Sequence, residues 1–245
     1  MTKPLWYEPS APAPAVGWRL LATLVPRDRG VSPQGIVVLG DGSWVSTQGD
    51  TSDNLTLTRY SRTGGRVGEL RIPGGGHGDR TRSLGDDRVG VFVAGVWCEI
   101  PWQTGTLSVA AAHAKYRGTY GMLPFGARSW FQGEITKLDR VAVRLYGVPF
   151  REYGPSVVDG VTRPNIPTRL EFYRDGSSTA YATEKIRELG RDASGVPFDD
   201  RLEPEGLSVG DVDGVTTLIV GIVNGRAGHS GFTHRIYGRT WNGAP

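Results

Sequence analysis

Short runs of β-forming residues that alternate with polar positions recur along the chain. The run 55–60 alternates apolar and polar side chains at a period of two, which indicates a half-buried strand. One segment, 182–190, has helical character, with Thr183 as a candidate cap and Gly190 as a stop. The pattern therefore predicts an all-β protein with many tight turns and one helical segment. Further strands of the same kind are expected at 67–72, 140–146 and 169–174.

Two distant stretches repeat one sequence pattern. Residues 32–38 match residues 203–209, and each stretch is followed by a turn containing glycine and aspartate and then by a hydrophobic strand. A weaker copy begins at Gly76 and continues into the strand 89–95. Landmark positions of this repeat lie 40 to 48 residues apart, at Gly35, Gly78, Gly126, Ile166 and Gly206. This is about the length of a four-stranded propeller blade, so we predict a single β-propeller of five four-stranded blades.

The two ends of the repeat region predict how this propeller closes. Residues 18–25 and 234–241 both have the pattern of a strand. A propeller usually completes one blade with strands from both chain ends, which removes an exposed sheet edge. Alternate prolines in 8–15 exclude helix and sheet interior, and predict an extended arm that lies on a neighbouring subunit. We therefore divide the chain into an arm, 1–17, and a propeller domain, 18–245.

Composition excludes several classes of function. The net charge is only +3 and the chain has no basic block, so we predict no nucleic-acid partner. No apolar run is long enough to cross a bilayer, and 1–16 lacks the apolar core of a signal peptide, so we expect neither membrane insertion nor ordinary secretion. Cys98 is the only cysteine and lies in an apolar run, which predicts a buried, inert thiol and no internal disulfide.

Three glycine-rich motifs come in an order typical of one family. Residues 33–35, 74–78 and 203–207 resemble the β-propeller domain shared by receptor-binding tail proteins of Gram-positive phages and proteins of the teichoic acid biosynthesis protein C type. The resemblance covers about 30–100 and 200–240. It implies a five-bladed propeller that docks on cell-wall polysaccharide as part of a tail tip or fibre. The missing export signal favours the phage members, whose proteins are made in the host cytoplasm and released by lysis.

The residues most typical of a functional site are His77, which stands between two glycines, and its neighbours Asp79 and Arg80. A histidine–aspartate pair can act as an acid and base or contribute to a metal site. No convincing further ligands stand among the other histidines, so we predict neither a metal nor a cofactor. The repeat places Gln34 and Glu205 at positions equivalent to His77. We therefore predict that Gln34, His77, Asp79 and Glu205 belong to a structural ring around the propeller axis.

Glycan binding needs aromatic faces for stacking and planar polar groups for hydroxyls. Three segments outside the predicted strands, 116–120, 128–132 and 224–229, supply both kinds of side chain. The alternative for Trp130 and Phe131 is a place in the hydrophobic core, and this alternative is favoured more for Phe131 than for Trp130. The predicted glycan-binding residues are Tyr116, Tyr120, Arg128, Trp130, Asn224, Arg226 and His229.

These observations predict a phage minor tail protein without catalytic activity, located in the virion, with other tail proteins and host cell-wall polysaccharide as partners. The proline-rich arm is compatible with a homo-oligomer. One alternative is a structural tail component that contacts only virion proteins. Another is a glycan-cleaving hydrolase, which needs two carboxylates about 5–9 Å apart. The candidates for that pair are Asp50, Asp79, Glu134 and Glu205.

Overall fold

The computed structural model describes the chain in segments, and the described part is almost entirely β-structure. The strands, in chain order, are β1 Arg19–Leu24, β2 Pro33–Val38, β3 Trp44–Gly49, β4 Leu55–Tyr60, β5 Arg66–Ile72, β6 Thr81–Ser83, β7 Arg88–Val93, β8 Val96–Pro101, β9 Gly105–Thr106, β10 Phe131–Leu138, β11 Val141–Tyr146, β12 Phe150–Arg151, β13 Ser156–Val158, β14 Val161–Arg163, β15 Arg169–Arg174, β16 Ala180–Lys185, β17 Arg201–Val212, β18 Val215–Asn224 and β19 Thr233–Thr240. One helix, α1, spans Val109–Tyr116. The described residues are 17–78, 80–119, 131–138, 141–146, 150–151, 156–158, 161–163, 169–174, 180–186, 189, 201–224 and 231–242.

Within the described residues, the strands form four sheets of three or more members and one separate pair. The first sheet has the order β2-β3-β4-β5-β9, the second β6-β7-β8, the third β10-β11-β15-β16 and the fourth β1-β19-β18-β17-β12, while β13 pairs with β14. Neighbouring strands run antiparallel except β5 and β9. The predicted all-β class is confirmed. The third sheet joins 131–146 to 169–185, so the landmark at Ile166 does not separate two sheets as predicted.

The fourth sheet brings together the two distant ends of the described chain. β1 pairs antiparallel with β19, with Arg19 opposite Gly238 and Leu24 opposite His234. The predicted pairing of the segments 18–25 and 234–241 is therefore confirmed. β1 completes a sheet whose other long strands, β17, β18 and β19, come from the far end of the sequence.

Hydrophobic cores lie between successive sheets. Alternation along β2 places Ile36 in the core shared with the fourth sheet and Val37 in the core shared with the second sheet. A third core joins the fourth sheet to the third, where Phe172 and Trp241 stack with ring centroids 6.0 Å apart. Strands of the first and fourth sheets that are buried on both faces, such as β2 and β18, have nearly continuously buried side chains, whereas β1 and β5 have exposed positions.

The first strands of three repeat copies converge at glycines. β17 lies against β2, β6 and β10. A Cβ on Gly206, whose φ is +99°, would lie 2.8 Å from the amide nitrogen of Ile36. A Cβ on Gly35 would lie 2.7 Å from Thr81 Cγ2, and the Thr81 hydroxyl donates to the Ile36 carbonyl over 3.2 Å. The repeated glycine therefore permits backbones of different sheets to approach closely.

The helical segment lies elsewhere than predicted. Residues 180–185 form β16, paired with β15, with alternating half-buried and exposed side chains. Sheet pairing therefore outweighs the helical tendency of that segment. The observed helix, α1, packs against β7 and β8 and buries Ala112. Its N-cap is Ser108, whose hydroxyl accepts a hydrogen bond from the Ala111 amide over 3.1 Å.

Replacing Ser108 with alanine is expected to lower the free energy of unfolding by about 1 kcal/mol, because the cap hydrogen bond to α1 is lost. Urea denaturation followed by circular dichroism measures the change. Thr51→Ala, at an exposed turn position, serves as the control and should leave the midpoint unchanged. Equal effects of the two substitutions would contradict a capping role for Ser108.

Candidate functional site

Two of the predicted axis residues, Gln34 and Glu205, lie in strands that contact each other, β2 and β17. Gln34 is in β2 and Glu205 in β17, and both are buried, whereas His77 is exposed just before β6. The Gln34 side chain donates to the Ser32 carbonyl over 3.3 Å. Asp79 lies outside the described residues. A common structural ring stays a prediction for these four positions.

Next to Glu205 lies a buried histidine. His234 in β19 is 0% exposed, with Nε2 2.8 Å from the Glu205 carbonyl oxygen and Nδ1 3.0 Å from Ser46 Oγ. Because a carbonyl only accepts, Nε2 carries the proton and Nδ1 accepts from the Ser46 hydroxyl. Burial lowers the pKa of His234 to about 4. The neutral imidazole therefore links β19, β17 and β3 by hydrogen bonds inside the protein. It has no contact with solvent.

The carboxylates considered for glycan hydrolysis differ in their surroundings. Asp50 accepts hydrogen bonds from the Asn54 side chain and from the backbone amides of Asn54 and Ser52, and these bonds lower its pKa. A catalytic acid needs a raised pKa, so Asp50 does not fit that role, and the same hydrogen bonds hold the β3–β4 turn. Glu205 is 2% exposed. Asp79 and the side chain of Glu134 lie outside the described residues.

The predicted glycan-binding residues fall into three groups. Tyr116 ends α1 and packs, partly buried, against the core below β7 and β8. Asn224, predicted in a loop, is the last residue of β18 and is 1% exposed. Its pairing with β17 and β19 encloses the position, so its side chain is not offered to a polysaccharide. The remaining members lie outside the described residues: Tyr120, Arg128, Trp130, Arg226 and His229.

A cleft of about 570 Å³ lies beside the first sheet. The β1–β2 connection, the β3–β4 turn and β5 form it, and they contribute arginine, carboxylate and amide side chains. Sequence reasoning singled out only Asp50 among these residues. The alternation of β5 places Glu69 and Arg71 on one face, but it does not show which loop they meet. The charged and amide side chains of its lining include Arg27, Asp28, Asp50, Asn54, Glu69 and Arg71.

Two arginines in the cleft share one carboxylate. Arg27 Nη1 donates to Glu69 Oε1 over 2.6 Å, and Arg71 Nε donates to the same oxygen. The arginine side chains are 51% and 50% exposed, whereas that of Glu69 is 16% exposed. Glu69 therefore holds the two guanidinium groups from below, and their remaining N–H donors face the opening.

The loop that carries Arg27 is tied to the first sheet. Gln48 Nε2 in β3 donates to the Val31 carbonyl over 2.7 Å and to the Asp28 carbonyl over 3.0 Å. The Asp28 side chain in turn accepts from the Gly30 amide over 2.8 Å. These bonds fix the loop before any ligand arrives, so the cleft is preformed.

Three further findings concern a thiol, metal ligands and membrane helices in the described part. The Cys98 thiol is buried in β8, and burial raises its pKa, which agrees with the predicted inert thiol. Among the described side chains, no three histidine, cysteine, aspartate or glutamate residues come together as metal ligands. No helix in this part is long and apolar enough to cross a membrane.

Comparison with solved structures shows that the chain shares its fold with a phage tail fibre. The tail fibre of Staphylococcus aureus phage P68 superposes with a TM-score of 0.67 at 15% identity, over 92% of this chain and 53% of that chain. The chain thus spans about half the length of that tail fibre chain. Glutaminyl cyclase of Myxococcus xanthus superposes with a TM-score of 0.46 at 13% identity, over 92% of this chain and 97% of that one. No protein-family model and no curated protein sequence matches the chain.

Proposed function

We propose that the chain is a phage minor tail protein, a component of the tail tip or fibre, that binds host cell-surface glycan without cleaving it. The observation that carries this proposal is the fold shared with a phage tail fibre over 92% of the chain. The sequence resemblance to receptor-binding tail proteins, based on the motifs at 33–35, 74–78 and 203–207, supports it independently of that superposition. On this proposal the protein resides in the virion and contacts other tail proteins.

The proposed architecture is a β-propeller closed by β1 and β19. Three observations support it: antiparallel sheets that follow one another along the chain, cores between successive sheets, and one strand, β17, in contact with the first strands of three other sheets. In the described part, four sheets of three or more strands supply blades, and the β13–β14 pair is the remaining place for a fifth. The five-blade count is part of the proposal.

Binding to isolated cell walls tests the proposed function. The labelled full chain is incubated with Gram-positive walls, staphylococcal walls included, before and after their polysaccharide is stripped chemically. We expect saturable binding that disappears after stripping. A well-folded chain that binds none of these walls would instead be a structural tail component. Soluble sugar released from the walls during incubation would indicate a hydrolase.

Variants locate the binding surface in the same assay. Trp130→Ala and Arg128→Ala remove a predicted stacking ring and a predicted hydroxyl ligand, so each is expected to weaken wall binding about tenfold. Val67→Ser, at a position in β5 that is 63% exposed, is the control and should bind as the unmodified chain does. If all three variants bind normally, the segment 128–132 is not the contact.

A further inference from the structure

We infer that the cleft beside the first sheet binds an acidic, hydroxyl-rich saccharide unit, with Arg27 and Arg71 holding its acidic group and Asp50 and Asn54 its hydroxyls. This inference rests on the proposed glycan binding and assigns that binding a site outside the segments singled out from the sequence. Four features of the cleft carry it: a cationic wall, an accepting wall, a fixed loop and a suitable volume.

The cationic wall consists of the Arg27 and Arg71 guanidiniums. Each donates one hydrogen bond to the single carboxylate of Glu69, so this group of three keeps one net positive charge. Asp28 and Asp50 add two carboxylates to the same lining, so the preference for an acidic group comes from the arginine side alone and not from the net charge of the cleft. Most N–H donors of each guanidinium remain for a ligand. Arginine matches carboxylate and phosphate oxygens in pairs of parallel hydrogen bonds, which selects an acidic group over a neutral one.

The accepting wall is the turn between β3 and β4. Asp50 Oδ1 accepts from the amides of Ser52 and Asn54 over 2.8 and 2.9 Å, and Oδ2 accepts from Asn54 Nδ2 over 3.0 Å. These bonds hold the carboxylate in one orientation. They also keep it ionised, since they lower its pKa. An ionised carboxylate only accepts hydrogen bonds, so its remaining lone pairs suit ligand hydroxyl groups.

The dimensions fit a ligand of one or two sugar rings. The cleft volume of about 570 Å³ lies within the range of about 300–1,000 Å³ typical of small-molecule sites. None of its described lining residues is aromatic. Recognition there therefore depends on charge and hydrogen bonds and not on ring stacking, unlike the contact predicted for 128–132.

Titration of the isotope-labelled full chain by NMR tests the inference with three probes: glucuronic acid, glucose 6-phosphate and glucose. We expect at least one acidic probe to bind about tenfold more tightly than glucose. The two acidic probes share the pyranose ring and differ at C6 in the acidic group, its charge and its reach, so their comparison shows whether the cleft prefers the carboxylate or the phosphate ester. Shifted amide signals should include those of Arg27, Asn54 and Arg71.

Matched arginine variants locate the binding. Arg71→Gln and Arg27→Gln are each expected to lower the affinity for the acidic probe about tenfold while leaving that for glucose unchanged. Arg62→Gln is the control, because Arg62 is also well exposed and pairs with Asp213 away from the cleft. Equal affinities for all three probes, no binding, or the same loss in Arg62→Gln would overturn the inference.

The wall-binding assay separates this inference from the proposed function. If the unmodified chain binds walls and the double variant Arg27→Gln/Arg71→Gln binds them equally well, the proposed function stands and the cleft inference fails. If the chain binds no walls but binds an acidic probe through the two arginines, the cleft inference stands and the proposed function fails.

Discussion

Replacing Gly221 with valine is expected to destabilise the folded chain by more than about 3 kcal/mol. A Cβ at this position would lie 2.0 Å from His234 Nε2 and 2.3 Å from the Glu205 carbonyl oxygen. Neither atom can move away easily. The carbonyl belongs to β17, which pairs with β18, and the imidazole is fully buried. The substitution would also break the hydrogen bond between His234 and Glu205.

Urea unfolding followed by tryptophan fluorescence measures this effect, together with the soluble yield. Gly65→Val is the matched control, since a Cβ at Gly65 meets only the Ser61 hydroxyl, at 3.3 Å, in an exposed turn. Its cost should stay near 1 kcal/mol or below. Wild-type stability of the Gly221 variant would show that β17 and β19 do not enclose this position as described.

Lowering the pH from 7 to 4 is expected to reduce the free energy of unfolding by about 3 kcal/mol through His234 alone. Burial lowers the pKa of His234 in the folded chain to about 4, against an ordinary value of 6.5. Above pH 6.5 neither state binds the proton, so the contribution of the neutral imidazole is fully present. Between 6.5 and 4 only the unfolded state binds it, and stability falls by about 1.4 kcal/mol per pH unit.

The slope of stability against pH is the measurement that isolates His234. His234→Gln removes the titrating group. The free energy of unfolding of this variant should therefore fall less steeply between pH 6.5 and 4, by the amount that corresponds to one bound proton. Val67→Ser, at a position in β5 that is 63% exposed and carries no titrating side chain, should keep the slope of the unmodified chain. NMR signals of the His234 ring provide a second readout and should remain those of neutral imidazole at pH 5. A protonated ring at that pH would contradict the buried pocket.

Alternation of apolar and polar residues proved informative where one face of a strand is buried. The strands 55–60 and 169–174 begin and end where the pattern places them. The pattern misled at 180–185, where charged residues with helical tendency occupy a strand whose pairing with β15 determines its structure. The helix α1 has a start signal in the sequence, because the capping residue Ser108 precedes an alanine-rich run.

The candidate site was less accessible to sequence reasoning than the fold. The cleft combines a loop residue, Arg27, with Glu69 and Arg71 in β5, and only the closure of the first sheet against that loop brings them together. Asn224 shows the opposite case. Asparagine followed by glycine is typical of a loop. In the structure, however, β18 continues as far as Asn224, and this residue is buried.

The pairing of β1 with β19 has a consequence for synthesis of the protein on the ribosome. β1 emerges before every other strand described here, and its partner emerges after all of them. Until then, the apolar side chains of β1 that belong to the core between the first and fourth sheets have no stable partner. The nascent chain must therefore keep this strand from pairing with neighbouring chains, and completion of the fourth sheet is expected to be the slow, final step of folding.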